Sequence, residues 1–389
     1  MRAVKQKPGL LRRGGRITVA EVSGALEAIA PLGLADARDN VGLLIGEPSR
    51  GVGRLMLCID LTAAVLAEAI ALKASMVMAY HPVIYRPLSR LTSQAAPIAL
   101  QAARAGIAIY SVHTAFDSAV GGMNDMLADA IGLASRRPIV SAVIAGNCKL
   151  VVFVPPDDLA RVAQAAFDAG AGRIGDYTDC SFFMPGVGTF RGGRGTHPAV
   201  GKPGRHEAVQ ELRLEIVCPR GSIAAVVAAV RSAHSYEQPV IDVYCLDEYP
   251  DGCGQGRIGE LHRPTSLASL IRRLKQTSGV KRVSVAVARN DTRANASASE
   301  PIRRVACLAG AGGEYLPAAL AMGAELFVTG ELRHHDALLA NRSACHVICL
   351  GHSNSERFAL RHLAARISQA LPRLSVLVSK ADRDPFDII

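Results

Sequence analysis

The sequence predicts an α/β fold on three observations. Apolar strand-like runs alternate with helical periods over residues 17–146, the pattern returns in the last third, and a segment of different character separates the two.

Residues 17–31 (ITVAEVSGALEAIAP) carry a helical period that ends at Pro31. DNVGLLIG (39–46) reads as a Gly-punctuated loop and short strand, and RLMLCIDL (54–61) as a buried strand. TAAVLAEAIALKA follows as a helix with Thr62 placed to cap it. SMVMAYHP (75–82) is a strand stopped by Pro82. A helix over about 94–105 leads to the strand GIAIYSV (106–112) and to HTAFD. Strands that are apolar throughout indicate a mainly parallel sheet covered on both faces.

The character changes near residue 147. CKLVVFVPPDDLARVAQAAFDAGAG predicts strand, helix and Gly-rich turn, and DYTDCSFFMPGVGTFRGGRGTHPAVGKPGR predicts loop. ELRLEIVCPRGSIAAVVAAVRSAHSYEQPVIDVYCLD predicts strand, helix, strand. Two strand–helix–strand units of this size predict a ferredoxin-like α+β insert over 147–247, between segments at 17–146 and 248–389. DEYPDGCGQGRIGEL is a Gly-rich return, and RNDTRANASASEP (289–301) a polar loop. The last third then gives three more strand–turn–helix runs, VACLAGAGGEYLPAALAMG, ELFVTGELRHHDALLA and HVICLGHSNSERFALRHLAARI.

A chain of 389 residues exceeds one ordinary core, and with no Trp and few aromatics its cores must be filled by Ala, Val, Leu and Ile. The net charge of +10 is partly carried by residues 1–16, which hold no acid and read as a basic tail; a transit peptide would be richer in Ser. Elsewhere Arg alternates with acids and stacking aromatics are scarce, so nucleic acid is a weakly supported partner. None of the nine cysteines forms a CxxC pair, and Cys58 and Cys307 sit in apolar runs, as expected of reduced thiols in the cytoplasm. No apolar stretch is long enough for a transmembrane helix.

Three apolar strands run into metal-ligand residue types. SMVMAY leads to His81, IAIYSV to His113 with Asp117 four residues on, and VICLG to His352 with Glu356 four residues on. Carboxyl ends of strands in an open α/β sheet line the ligand crevice, so three distant segments converge there. Imidazole and carboxylate together suit divalent Zn, Mn or Fe, and two carboxylates allow one to bridge two ions. A lone His after a strand is more often a loop residue; the three matched positions favour a metal. GTHPAVGKP (195–203) fails as a phosphate loop because its glycines are misspaced and Pro203 replaces the hydroxyl residue. LAGAGGEYL (308–316) lacks dinucleotide-turn spacing, and HSYEQP (234–239) reads as a structural turn.

DNVGLLIG, AYHPVIYRPLSRLT (79–92), HTAFDSAVGGMNDMLADAIGL (113–133), TGELRHHDAL (329–338) and GHSNSER (351–357), in this order, resemble the NIF-three-like family of dinuclear metal centre proteins, often called GTP cyclohydrolase 1 type 2 homologs. GAGRIGDYTDCSF, GVGTF and HSYEQPVID resemble the middle domain that some members carry. The resemblance implies two related α/β halves forming a metal cleft around the insert, with up to two divalent ions per subunit. Its implied ligands are His81, Asp117, His352, Glu356 and, as a fifth, His113, with Glu356 bridging. His335 matches a family position that implies a substrate contact or proton shuttle. A ring-shaped homohexamer acting on a nucleotide or other small molecule is likewise implied. Tyr80 departs from the His of many bacterial members, and AYHP and GHSNSER look closer to the eukaryotic branch. Tyr80 would ligate, hydrogen-bond or merely pack, which puts the second ion in question. Arg86, Arg90 and Arg333 near the strand ends are candidate phosphate contacts, though such residues are more commonly solvated. The rival reading is a non-catalytic metal-binding scaffold or regulatory protein whose insert serves interaction.

Overall fold

The computed structural model describes residues 16–248, 250–288 and 300–387. The expected basic tail, apart from Arg16, and residues 289–299 of the expected polar loop lie outside them. The chain forms two compact units: residues 143–249, and the segments on either side of them together.

The larger unit contains two main sheets. In the first, Ser375–Val378, Arg54–Cys58, Met76–Ala79 and Ala108–Ser111 lie side by side in parallel, and Gly42–Ile45 pairs antiparallel on the last. In the second, His346–Cys349, Leu326–Glu331 and Ile302–Ala311 are parallel neighbours. Ser284–Ala286 at one edge, and Arg257–Thr265 followed by Leu133–Arg137 at the other, pair antiparallel. The expectation of a mainly parallel sheet therefore holds for the first sheet, while the second is mixed. Two of its three antiparallel strands come from the Gly-rich return and from LASRR (133–137), where apolar content is too low to show a buried strand.

Alternation along each strand explains how two sheets share one core. Leu55, Leu57, Met76 and Met78 of the first sheet and Val305, Cys307, Leu326 and Val328 of the second face a common cluster. The same cluster takes the apolar stripes of Val19–Ile29, Met123–Ile131, Leu267–Ser278 and Leu360–Ala370. The intervening residues turn outward: Met56, Cys58, Val77 and Ala79 pack on Ala63–Ala71 and Pro97–Ala105, and Ala306, Phe327 and Val347 on Leu316–Ala321. The helix starts are set locally. Thr18 and Glu21 form a reciprocal capping box, and the Thr62 hydroxyl accepts from the Val65 amide.

The second unit is a four-stranded antiparallel sheet, ordered Ile241–Glu248, Ile144–Val154, His206–Cys218, Ser181–Arg191. Leu159–Asp168 and Ile223–Ala233 cover one face through Val162, Ala166, Val226 and Val230. Ser181–Arg191 corrects the expectation of loop over this segment. It is an edge strand exposed on both faces, so it has no buried alternation to read, and its Pro185 is tolerated at an edge. Among the described residues no helix is long and apolar enough to cross a membrane.

Candidate metal centre

The ends of the parallel strands in both sheets carry the site. Beyond Met76–Ala79 the ladder continues, with the Tyr80 amide donating to Cys58 O at 2.9 Å and the His81 amide to Ile59 O at 3.1 Å. The His113 amide donates to Tyr80 O at 3.2 Å, and His113 opens the short helix His113–Ser118 with φ +25°. On the other sheet the Gly351 amide donates to Gly330 O at 2.9 Å, and the turn Asn354–Arg357 returns Glu356 inward.

These segments gather His81, His352 and Glu356, whose ligand atoms all lie within 4.8 Å of one another. Nε2 of His81 is 3.4 Å from Oε2 of Glu356, and Nε2 of His352 is 3.7 Å from Oε1. The first is an ion-pair distance whose angles make no hydrogen bond, so Oε2 is buried without a hydrogen-bond partner. His113 stands beside this trio, its ring 5.3 Å from that of His81. Asp117 accepts a hydrogen bond from the Tyr80 hydroxyl, and the Tyr80 ring lies 5.9 Å from His113. His335 is exposed in the first turn of His334–Arg342, 5.5 Å from the His334 ring, and among the described residues no hydrogen bond or ring contact joins it to the trio.

Each of the three imidazoles is held from behind. Nδ1 of His81 meets Asp60 at 2.9 Å, Nδ1 of His113 meets Asp39 at 2.8 Å, and Nδ1 of His352 meets Glu331 at 3.0 Å. A carboxylate accepts only from N–H, so each pair places a proton on Nδ1, and Nε2 is the nitrogen that a cation can take once its own proton is lost. Asp39 is itself fixed by the Thr114 amide at 3.2 Å and by the Thr114 hydroxyl. Sequence reasoning missed Asp39, Asp60 and Glu331. Their signal was positional: Asp60 ends a strand run, and Asp39 and Glu331 lie within the stretches DNVGLLIG and TGELRHHDAL.

Electrostatics follow from burial and these partners. Burial disfavours the His81 cation, but Asp60 and Glu356 outweigh it and hold the group up at about 10. Burial pushes the Asp117 carboxyl up to about 7 against the opposing pull of Tyr80 and His113. Burial and the neighbouring Asp117 carry the Tyr80 phenol well above its ordinary value, so Tyr80 stays a neutral donor to Asp117. Burial opposes the Asp39 charge, yet His113 and Thr114 bring it down to about 2.

Two glycines let the backbone approach. A Cβ on Gly310, where φ is +71°, would lie 2.9 Å from Glu356 Oε1 and 3.4 Å from His352 Nε2. A Cβ on Gly330 would lie 2.5 Å from Gly310 O and 2.8 Å from Ser355 Oγ. Ser355 closes this corner by accepting from the Gly310 amide at 2.8 Å. A cavity of about 640 Å³ opens onto His81 and His352, with Asp60, Arg282, Asn354 and Phe386 in its wall. A buried carboxylate oxygen without a donor, facing two imidazole nitrogens with fixed tautomers, fits a divalent cation.

The sequence model of the Duf34/NIF3 (NGG1p interacting factor 3) family matches residues 17–385. A GTP cyclohydrolase 1 type 2 homolog of Halalkalibacterium halodurans is 35% identical over 369 residues, 93% of this chain and 96% of that protein. The NIF3-like protein 1 of Rattus norvegicus is 29% identical over 94% of this chain and 91% of its own length. Among solved structures, a Bacillus cereus protein related to NIF3 superposes with a TM-score of 0.67 at 31% identity, over 96% of this chain and 100% of that one. A Staphylococcus aureus protein at 24% identity shares the fold, with a TM-score of 0.76 over 96% of this chain and 99% of that one.

Proposed function

The chain belongs to the Duf34/NIF3 family, and on that premise we propose that it is a metal-dependent hydrolase with a binuclear divalent centre. The observation that carries the reading is the buried Glu356 carboxylate, with no donor on Oε2, set between the Nε2 atoms of His81 and His352. His81, His352 and Glu356 would hold one ion of the Zn, Mn or Fe type. His113 and Asp117 would hold the second, with Glu356 shared. Bound there, a divalent ion supplies Lewis acidity and water with a pKa near ~7.

The chain's own residues prepare that chemistry. Asp60, Asp39 and Glu331 accept from Nδ1 and so orient the three imidazoles with Nε2 as the nitrogen offered to a cation, which displaces any proton held there. Tyr80 does not offer a phenolate; its hydroxyl orients Asp117. The side chain of His352 is 40% exposed, which leaves an approach from the cavity, as catalysis requires and a closed structural site does not. The relatives' name makes GTP the first substrate to test, with another nucleotide or small molecule as the wider class. His335 lies in sequence between Arg333 and Asp336, which line a second cavity together with Glu331, a residue that also lines the first, and it is proposed as a substrate contact or proton shuttle.

Three structural readings belong to the same proposal. The two sheets are related halves, each bringing imidazoles from parallel strand ends. The second unit is ferredoxin-like, as its strand order and paired helices suggest. A cytoplasmic homohexamer rests on the family resemblance, and mass in solution tests it.

The decisive experiment is metal-to-subunit stoichiometry of purified protein, compared with His81→Ala and Asp117→Ala, followed by hydrolysis assays beginning with GTP. Two ions per subunit, reduced in both variants, with metal-dependent turnover, support the reading. Correctly folded protein that takes up no divalent ion overturns it.

A further inference from the structure

Three cysteines form a row across the second unit's sheet. Cys148 on Ile144–Val154 is the direct cross-strand partner of Cys218 on one side and of Cys245 on the other. Both pairings are antiparallel, so all three side chains leave the same face. Directly opposed residues of such pairs have Cα atoms about 4.5 or 5.5 Å apart, and both spacings fall within the roughly 4.4–6.8 Å that a disulfide spans.

The row runs from core to solvent. Cys218 and Cys148 are buried in the apolar cluster under the two helices, whereas Cys245 is exposed on the edge strand. The ladder is irregular just beyond, between Cys245 and Asp247. The register sets the Cys148 and Cys245 thiols side by side, and burial, then that adjacent thiol, raise the Cys148 thiol above its ordinary value. The metal centre proposed above uses none of these residues.

We propose that Cys148 and Cys245 are a thiol-modification site that closes into a reversible cross-strand disulfide when a low-molecular-weight disulfide oxidises it. The Cys245 thiolate attacks one sulfur of glutathione disulfide, and the S–S bond breaks to release one glutathione thiolate. The Cys148 thiolate then attacks Cys245 Sγ, forming the intramolecular bond and expelling the second glutathione. The protons lost by the two cysteines end on the two glutathione thiols, so two protein thiols are oxidised and one disulfide is reduced. Cys218, on the far side of Cys148, is the second partner to which the bond can pass inward. The bridge ties the exposed edge strand to the centre of its own sheet.

Full-length protein is equilibrated over a series of glutathione disulfide to glutathione ratios, quenched in acid, unfolded, alkylated and mapped by peptide mass spectrometry. The expected product joins the peptides holding Cys148 and Cys245 and is separated again by dithiothreitol. In Cys245→Ser, both buried thiols stay reduced at ratios that bridge the wild type, because the exposed entry point is gone. In Cys218→Ala, the Cys148–Cys245 pair still forms. Glutathione retained on Cys245 with Cys148 free to alkylate would overturn the proposal, as would unchanged oxidation of Cys148 in Cys245→Ser. Thermal melts of both variants confirm that the protein tested is folded.

Discussion

Nε2 of His81 lies 3.4 Å from Oε2 of Glu356, and that oxygen is buried with no hydrogen-bond donor. A buried carboxylate so placed costs several kcal/mol unless a cation satisfies it. Glu356→Gln keeps the shape and removes the charge. It should abolish sharing between two ions and reduce metal content by at least one ion per subunit in elemental analysis. Wild-type metal content in folded Glu356→Gln would remove Glu356 from the ligand set.

Metal removal and pH should interact in a defined direction. In metal-free protein the folded His81 sits near 10 against an ordinary 6.5, so its stabilisation is fully present below about 6.5 and lost as pH rises through 10. Folded Asp117 sits near 7 against 3.8, so ionising it in its buried place costs stability as pH rises from about 4 to 7. Both effects act the same way. Asp39, brought down to about 2, loses its contribution only in strong acid and does not compete in this window. The Tm of chelator-treated protein should therefore fall from pH 5 to pH 9. A divalent ion needs both groups deprotonated, so the gain in Tm on adding metal should widen over the same range. Parallel curves for the metal-free and metal-loaded protein would contradict this assignment.

The parts of this centre differ in how readily the sequence shows them. His81, His113 and His352 are legible because each follows a largely apolar run, which marks a strand end. Thr18 and Thr62 are legible as caps because the hydroxyl precedes a helical period. Asp60, Asp39 and Glu331 are not, since a lone carboxylate carries no sign that an imidazole from another segment will meet it. Tyr80 is readable as an oddity, but its partner is fixed only once the helix starting at His113 turns Asp117 back over the strand end. The edge strand Ser181–Arg191 escapes for a different reason: a strand with no buried face has no pattern to display.

Tyr80→Phe isolates the role of that hydroxyl. The ring stays in its fully buried place while Asp117 loses its donor. Urea unfolding of metal-free protein should show a loss of about 1–3 kcal/mol, the range for stranding a buried polar group. Because Tyr80 is a donor rather than a ligand, the ion held by His81, His352 and Glu356 should remain at full occupancy. Loss of all metal from a folded Tyr80→Phe protein would mean that the phenol ligates after all.

Gly310→Ala tests the close backbone approach to the centre. Its φ of +71° makes any side chain strained, by about 1–2 kcal/mol, and the new Cβ would stand 2.9 Å from Glu356 Oε1 and 3.4 Å from His352 Nε2. Gly279 provides the control. Its φ is +76°, it caps the helix Leu267–Ser278, and a Cβ there meets nothing within 4 Å. Both substitutions carry the same backbone cost and should lower Tm to a similar degree from that source. Only Gly310→Ala should also displace Glu356 and His352, with a fall in metal content beyond what Gly279→Ala shows. Equal metal content in the two variants would mean that the carboxylate has room to withdraw, and that Gly310 serves the turn rather than the site.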